Sequence, residues 1–288
     1  MKNVAILTMD SLEDFFAYDY MLDQPLLEEG WQTEHVSWRD ESIDWNRFDV
    51  VIVRSPWDYQ QDAAAFLACL KRIDASKATL ENSYSLMSWN LEKTYLQDLA
   101  SKGVPIVPTL WLDHYQPDMI EQAFAMFQST EVIVKPVVSA NADFTYRIEP
   151  AKANSVLAEL REVFADRALM LQPFLPAIVS PGEYSLFYFD HDYSHAILKT
   201  PKTEDFRVQE EHGGSLLSVT PTDEMYAVAE STLAALPHRS LYARIDLIET
   251  GSGLAVMEVE LIEPSLYFNM DDTAAQRFTD VFCRKYAS

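Results

Sequence analysis

The chain has 288 residues, 48% of them hydrophobic, and a formal net charge of −23 with a pI near 4.5. That balance argues against nucleic acid, whose binding is driven by neutralising phosphates with Lys and Arg, and against anionic membrane surfaces. Two cysteines give no disulfide framework, no apolar run reaches the length of a membrane span, and a cytoplasmic protein is expected.

Residues 3–7, "NVAIL", predict a first strand, since the apolar run is too short for a signal peptide. "DFFAYDYMLDQPLLEEG" (14–30) predicts a helix stopped by Gly30. "FDVVIVRSPWDY" (48–59) reads as a buried parallel-type strand, because its apolar run is continuous. Ligands in open α/β sheets bind beyond the carboxyl ends of strands, which is where Arg54, Ser55, Trp57, Asp58 and Tyr59 fall. The alternative is an ordinary strand-to-helix turn around a packed Trp. "NLEKTYLQDLASKG" (90–103) predicts a helix ended by Gly103, followed by the extended "VPIVPT" (104–109).

Strand "EVIVKPVVSA" (131–140), helix "AKANSVLAELREVFA" (151–165) and strand "ALMLQPFL" (168–175) come next. A strand-rich half follows: "EYSLFYFD", "YSHAILKT", "SLLSVTP", a helix over 222–236, then "LYARIDLIE" and "LAVMEVELI". The class is therefore mixed α/β (α+β): a small α/β unit over the first ninety residues, a central α/β region, then an antiparallel sheet. There is no G-x-G-x-x-G, Walker A, H-E-x-x-H or G-x-S-x-G pattern, so no motif-borne nucleophile or zinc site is available.

The last two strands carry the most specific signal. With "TGSG" as the turn and the hairpin centred on Ser252, Asp246 faces Glu258 and Arg244 faces Glu260, all four on one side. Ile245, Leu247, Met257, Val259 and Leu261 then form the core side. Opposed β-carbons lie only about 4.5–5.5 Å apart, and like charges there are destabilising. Arg244 offsets one charge. The remaining excess suits a hard divalent cation, Mg2+ preferring oxygen ligands; a solvated acidic strand is the alternative. Lys135, inside "VIVKPVV", is expensive to bury unless it meets an anion, or else it snorkels to solvent from an edge strand.

In order along the chain, "VIVKP", "LMLQPFLPAIVSPGEYSL", "EDFRVQEEHGG", "ARID" and "EVELIEPS" together resemble the ATP-grasp superfamily, and within it the glutathione-synthetase-like enzymes. "SPWDY", "NLEKTYL" and "EPSL" are similar to stretches of stand-alone O-ureido-serine cyclo-ligase-type enzymes of cycloserine biosynthesis. The resemblance implies an N-terminal α/β domain (1–90) and an ATP-grasp domain (91–288), with ATP sandwiched between a central subdomain (about 91–171) and a C-terminal one (about 172–288). It implies that Lys93 and Lys135 bind ATP phosphates, that Gln172 and Phe174 frame adenine, that Glu183 meets the ribose and that Lys199 is a further nucleotide contact. Asp246, Glu258 and Glu260 would hold Mg2+, for which Mn2+ substitutes, and Arg207 and Arg244 would act on the acyl phosphate. Glu260 stands where relatives often have Asn. The loop "SANADFTYR" (139–147) lacks the usual glycines, so Ser139, Asn141 and Thr145 would hold it instead.

The expected function is ATP-dependent carboxylate–amine ligation or cyclisation of a small amino-acid-like substrate, releasing ADP and phosphate. The alternatives are addition of amino acids to a peptide or protein tail, an inert ATP/Mg-binding module, or an unrelated cation binder. Substrate candidates by location are Arg54, Ser55, Asp58, Tyr59, Asn82, Tyr84, Glu263 and Tyr267, with Asp58 on an ammonium group. Relatives are commonly dimers or tetramers, so the resemblance implies a homodimer or homotetramer.

Overall fold

The structure, a computed structural model, describes residues 1–140, 142–202, 205–208 and 210–287. The chain opens with β1 (Lys2–Thr8), α1 (Asp23–Glu28), β2 (Trp31–Ser37), β3 (Val50–Ser55), α2 (Ala63–Asp74) and β4 (Thr79–Glu81). The four strands form a parallel sheet in the order β2-β1-β3-β4. Every residue of β3 is buried, which explains its unbroken apolar run. Val51 and Val53 enter one core with Phe66 and Leu70 of α2, while Val50 and Ile52 enter another with Phe278 and Phe282 from the chain's last helix.

The helix expected over 14–30 is reduced to α1, preceded by a 3-10 turn at Asp19–Leu22. Pro25 explains the late start: its ring clashes with the carbonyl four residues back, so a helix cannot run through it from residue 14. Asp19 is drawn instead to Arg54, at 2.9 Å.

The helix expected over 90–103 is shortened to α4 (Tyr95–Ser101), and a separate helix, α3 (Tyr84–Asn90), ends where it was to begin. Between them the Lys93 N–H donates to the Val137 carbonyl at 2.9 Å, so the chain turns out of the helix there. Next come β5 (Leu110–Leu112), α5 (Met119–Phe127), β6 (Val132–Pro136), β7 (Tyr146–Ile148), α6 (Ala153–Val163) and β8 (Leu169–Pro173). These strands form an antiparallel sheet, β5-β8-β6-β7. Val132 and Val134 pack with Ile120 of α5 and Leu160 of α6. Alternation along β6 turns Ile133 and Lys135 to the opposite face.

The third sheet contains β9 (Glu183–Phe189), β10 (Asp192–Thr200), β11 (Ser215–Ser218), β12 (Tyr242–Thr250) and β13 (Gly253–Glu260). Its order is β11-β10-β9-β12-β13, antiparallel throughout. Helix α7 (Asp223–Ala235), capped by the Thr222 hydroxyl, covers it with Met225 and Leu233 against Ile245 and Val259. Helix α8 (Ala274–Lys285) returns to the first sheet.

The hairpin register confirms the expected pairs, Arg244 with Glu260 and Asp246 with Glu258. The turn itself pairs Thr250 with Gly253, one residue away from a hairpin centred on Ser252. A bulge between Asp246 and Leu247 restores the predicted register, because Leu247 pairs with Val256 and Met257 is left over. Met257 was expected on the core side; the bulge brings it to the cavity instead.

Candidate active site

One large cavity lies where the faces of the second and third sheets meet the first sheet's carboxyl edge. From β6 come Ile133 and Lys135, and from β8 and the segment after it Gln172, Pro173, Phe174 and Leu175. The third sheet supplies Glu183, Lys199, Arg244, Asp246, Met257, Glu258 and Glu260. Lys93 enters from the turn between α3 and α4, and Glu263 from the segment after β13.

One end is an apolar slot of Val107, Ile133, Phe174, Ile178, Val208 and Met257. Gln172 lies at its edge, donating to Thr109 Oγ1 at 2.9 Å, and the Arg147 guanidinium sits 3.7 Å from the Phe174 ring centre. Apart from Phe174, these slot residues carry no recognisable signal of a ligand site in the sequence. Ile133 was legible as the residue two before Lys135 on an alternating strand, whereas Met257 depends on a bulge that no local pattern announces.

The other end is dense in charge. Asp246 is 2% exposed and accepts from Arg244 Nε at 3.0 Å and from Ser185 Oγ at 2.5 Å. Lys199 Nζ lies 3.4 Å from Asp246 and also pairs with Glu183. Gly182, at φ +131°, permits the start of β9 to approach β10 closely: a β-carbon there would meet the Lys199 carbonyl at 2.4 Å. Glu258 pairs with Lys93 at 2.5 Å, and Glu260 with Arg244. The acidic excess read from the hairpin is thus offset by protein groups as well, since Lys93, Lys135 and Lys199 join Arg244 on the same walls.

These neighbours set the ionisation. Burial pushes the Glu258 carboxyl up, but Lys93 and Lys135 outweigh it and hold the group below the usual range. Asp246 is likewise lowered against burial by Arg244 and Lys199. Glu260 is pushed up to about 7, first by burial and then by Glu258 and Asp246, despite Arg244. Glu263 rises to about 8 through burial and the charge of Glu260. Lys135 is lowered, chiefly by burial and also by Lys93. Among the described residues no carboxylate lies within 4 Å of its ammonium group, in contrast to Lys93 and Lys199.

As a cation site the donor set fits: Asp246, Glu258 and Glu260 are oxygen ligands on one wall, the kind Mg2+ takes. They are turned toward basic side chains, and no three acids among the described residues converge into a ready cage.

Two further segments line the cavity. Ser139, Ala140, Ala142 and Thr145 line it from the glycine-poor loop, and the Ser139 carbonyl accepts from Lys93 Nζ at 3.3 Å. Asn141, expected to help there, lies outside the described residues. Arg207 also lines the cavity and is held by Asp205 at 2.8 Å.

The substrate candidates divide. Glu263 and Tyr267 line the cavity, together with Trp57, Ser265 and Phe15. Arg54, Ser55, Asp58 and Asn82 do not. Arg54 is fully buried between Asp19 and the Pro264 carbonyl. Ser55 donates to Thr8 Oγ1, and Asp58 is taken up by Trp38 and Arg39. Asn82 bonds the backbone of Leu241, Tyr242 and Leu261. Tyr59 stands behind the wall with its hydroxyl against Glu263, and Tyr84 packs at the edge of the first sheet's core. Carboxyl-edge placement thus found the right end of β3, but inward-turned side chains there are used to hold the chain together.

The second sheet presents Lys135 to the cavity, the third presents Lys199 with Glu183, Asp246, Glu258 and Glu260, and solved ATP-grasp ligases share this fold. A D-alanine–D-alanine ligase from Bacillus anthracis shares this fold, with a TM-score of 0.69 over 100% of both chains at 12% identity. A RimK domain ATP-grasp protein from Sphaerobacter thermophilus has a TM-score of 0.70 at 15% identity, covering 97% of this chain and 98% of that one. The family described as D-cycloserine synthetase DcsG, N-terminal domain, matches residues 4–82. The cycloserine biosynthesis protein DcsG of Streptomyces lavendulae is 30% identical over 286 residues, spanning 91% of this chain and 92% of that protein. The crystal structure of D-cycloserine synthetase DcsG superposes with a TM-score of 0.87 at 28% identity, over 98% and 99% of the two chains. The chain belongs to the DcsG family, within the ATP-grasp ligases that form C–N bonds.

Proposed function

We propose that this ATP-dependent ligase phosphorylates the carboxylate of a small amino-acid-like substrate and closes a C–N bond at the activated carbon. The observation that carries the reading is Lys135, an inward-facing lysine without a carboxylate partner among the described residues, placed between an apolar slot and a wall of acids. An anion with a flat apolar end satisfies all three features.

In this reading the slot of Ile133, Phe174 and Met257 takes the adenine, with Gln172 at its edge. Glu183, Lys199 and Lys93 lie along the ribose and phosphates, and Lys135 meets the phosphate chain. Asp246, Glu258 and Glu260 would hold Mg2+, or Mn2+ in its place, which supplies neutralisation of charge on the transferred phosphoryl group. Arg244, fixed by Asp246 and Glu260, presents a positive charge where the acyl phosphate and the following oxyanion develop. Arg207 approaches the same group from the loop. No side-chain nucleophile is required, because phosphoryl transfer is catalysed by positioning and electrostatics.

The substrate side is the region of Glu263, Tyr267 and Trp57. Glu263, rather than Asp58, is the acid available to an amino group. The relatives named for D-cycloserine favour ring closure within one molecule. The domain division at residues 90 and 171–172 fits this reading, with the cleft between the last two units. The inert-module and peptide-tail readings gain no support from these relatives.

The test is ADP release from ATP and Mg2+ over a panel of amino acids and amines, with products weighed by mass spectrometry. Stimulated ADP release with loss of water from a substrate supports the proposal. Nucleotide-independent behaviour with every substrate refutes it.

A further inference from the structure

Strand β13 is an edge of its sheet, yet its outward peptide groups beside Glu260 are not open. The Asn90 side chain donates from Nδ2 to the Val259 carbonyl at 2.9 Å and accepts the Leu261 N–H on Oδ1 at 2.9 Å. These two peptide groups flank Glu260. A neighbouring strand would offer the same donor and acceptor, so one amide stands in for a strand. The Tyr95 hydroxyl completes the arrangement by accepting the Val259 N–H at 2.8 Å.

Asn90, Lys93 and Tyr95 all belong to "NLEKTYL", one of the stretches that mark the family likeness. Lys93 reaches Glu258 directly, at 2.5 Å. Asn90 and Tyr95 do not line the cavity; both are buried, at 7% and 2% exposure, on the far side of the strand that carries the acids. Both Val259 and Leu261 are themselves buried core residues. The backbone between them therefore cannot shift without either leaving the core or breaking the amide pair.

We propose that Asn90, assisted by Tyr95, is a positioning residue for Glu260: it locks the peptide groups on either side so that the carboxylate is aimed into the cavity at the cation a nucleotide brings. The inference rests on the nucleotide reading above. It gives the motif two jobs, with Lys93 neutralising one acid and Asn90 and Tyr95 orienting the next. Outer partners that orient a metal ligand typically change metal affinity about 10- to 100-fold when removed.

The test is calorimetric titration of ADP into wild type, Asn90→Leu and Tyr95→Phe, each in EDTA and in Mg2+. For Asn90→Leu the expected result is a metal-free Kd within about twofold of wild type and a loss of about tenfold in the tightening that Mg2+ produces. Tyr95→Phe removes only one hydroxyl and should show the same selective loss, smaller in size; it decides the matter if Asn90→Leu does not fold. A purely structural role would lower the unfolding temperature and leave the Mg2+-dependent tightening intact, and that outcome overturns the proposal. So does an equal loss with and without Mg2+. A wild-type protein that binds no ADP in either condition overturns the nucleotide reading and this inference together, whereas intact tightening in both variants overturns this inference alone.

Discussion

Replacing Lys135 by Met should make the nucleotide-free protein more stable and its nucleotide complex weaker. The side chain sits beside Ile133 on a strand face that is otherwise apolar and lines the cavity. Burial is the first cause that holds its pKa below 10.5, with Lys93 adding to it. A base with a depressed folded-state pKa contributes stability that is complete above its unfolded value and lost as pH falls through the folded one. Removing a partly buried charged group that has no carboxylate partner among the described residues relieves about 1–2 kcal/mol, equivalent to a rise of roughly 2–5 °C in Tm for a chain of this size.

The nucleotide should respond in the opposite direction. A hydrogen bond to a charged group contributes about 1.5–3 kcal/mol, so losing the phosphate contact should weaken ADP or ATP roughly 10- to 100-fold. Thermal scans of both proteins with and without saturating Mg2+ and ADP read both effects, and calorimetric titration gives the Kd. A variant with lower Tm and unchanged nucleotide affinity would refute the reasoning, because Lys135 would then be an ordinary lysine reaching solvent.

Glu263→Gln tests the substrate end: nucleotide binding should be retained while substrate-stimulated ADP release is lost, and equal losses in both would reject its assignment. Its carboxyl is raised to about 8, so the wild type loses stability from this group as pH rises from about 4.5 to 8; urea titrations should show the variant gaining on wild type across that window. His195 behaves in the opposite sense. It is buried, stacked on Phe187 at 4.3 Å and bonded to the Leu266 carbonyl, with burial lowering its pKa to about 4. Its contribution is present above pH 6.5 and is lost as pH falls toward 4, about 2 kcal/mol by pH 5. Denaturant midpoints of wild type and His195→Gln should therefore converge or cross between pH 7 and 5, and parallel profiles would remove His195 as the cause.

Strands were the legible part of the fold. Each of the five in the third sheet, and the Lys135 strand, was expected from its apolar run, whereas β2, β4, β5 and β7 were not. The helices of the first hundred residues were less so, because Pro25 and the outward turn at Lys93 shorten segments whose composition alone reads as continuous. Among the site residues, those on regular strands could be placed from the chain itself: Lys135, Asp246, Glu258 and Glu260 follow from two-residue periodicity.

What the amino-acid order determined was therefore which side chains share a strand face, a local property fixed by backbone geometry. Which charges neutralise one another was decided only when three sheets met. Lys93 reaches Glu258 across 165 positions of chain, Arg54 spends its charge on Asp19 and the Pro264 carbonyl, and Met257 enters the slot through a bulge. Those choices depend on distances between distant segments, and a buried charge takes whichever partner the packing brings within reach.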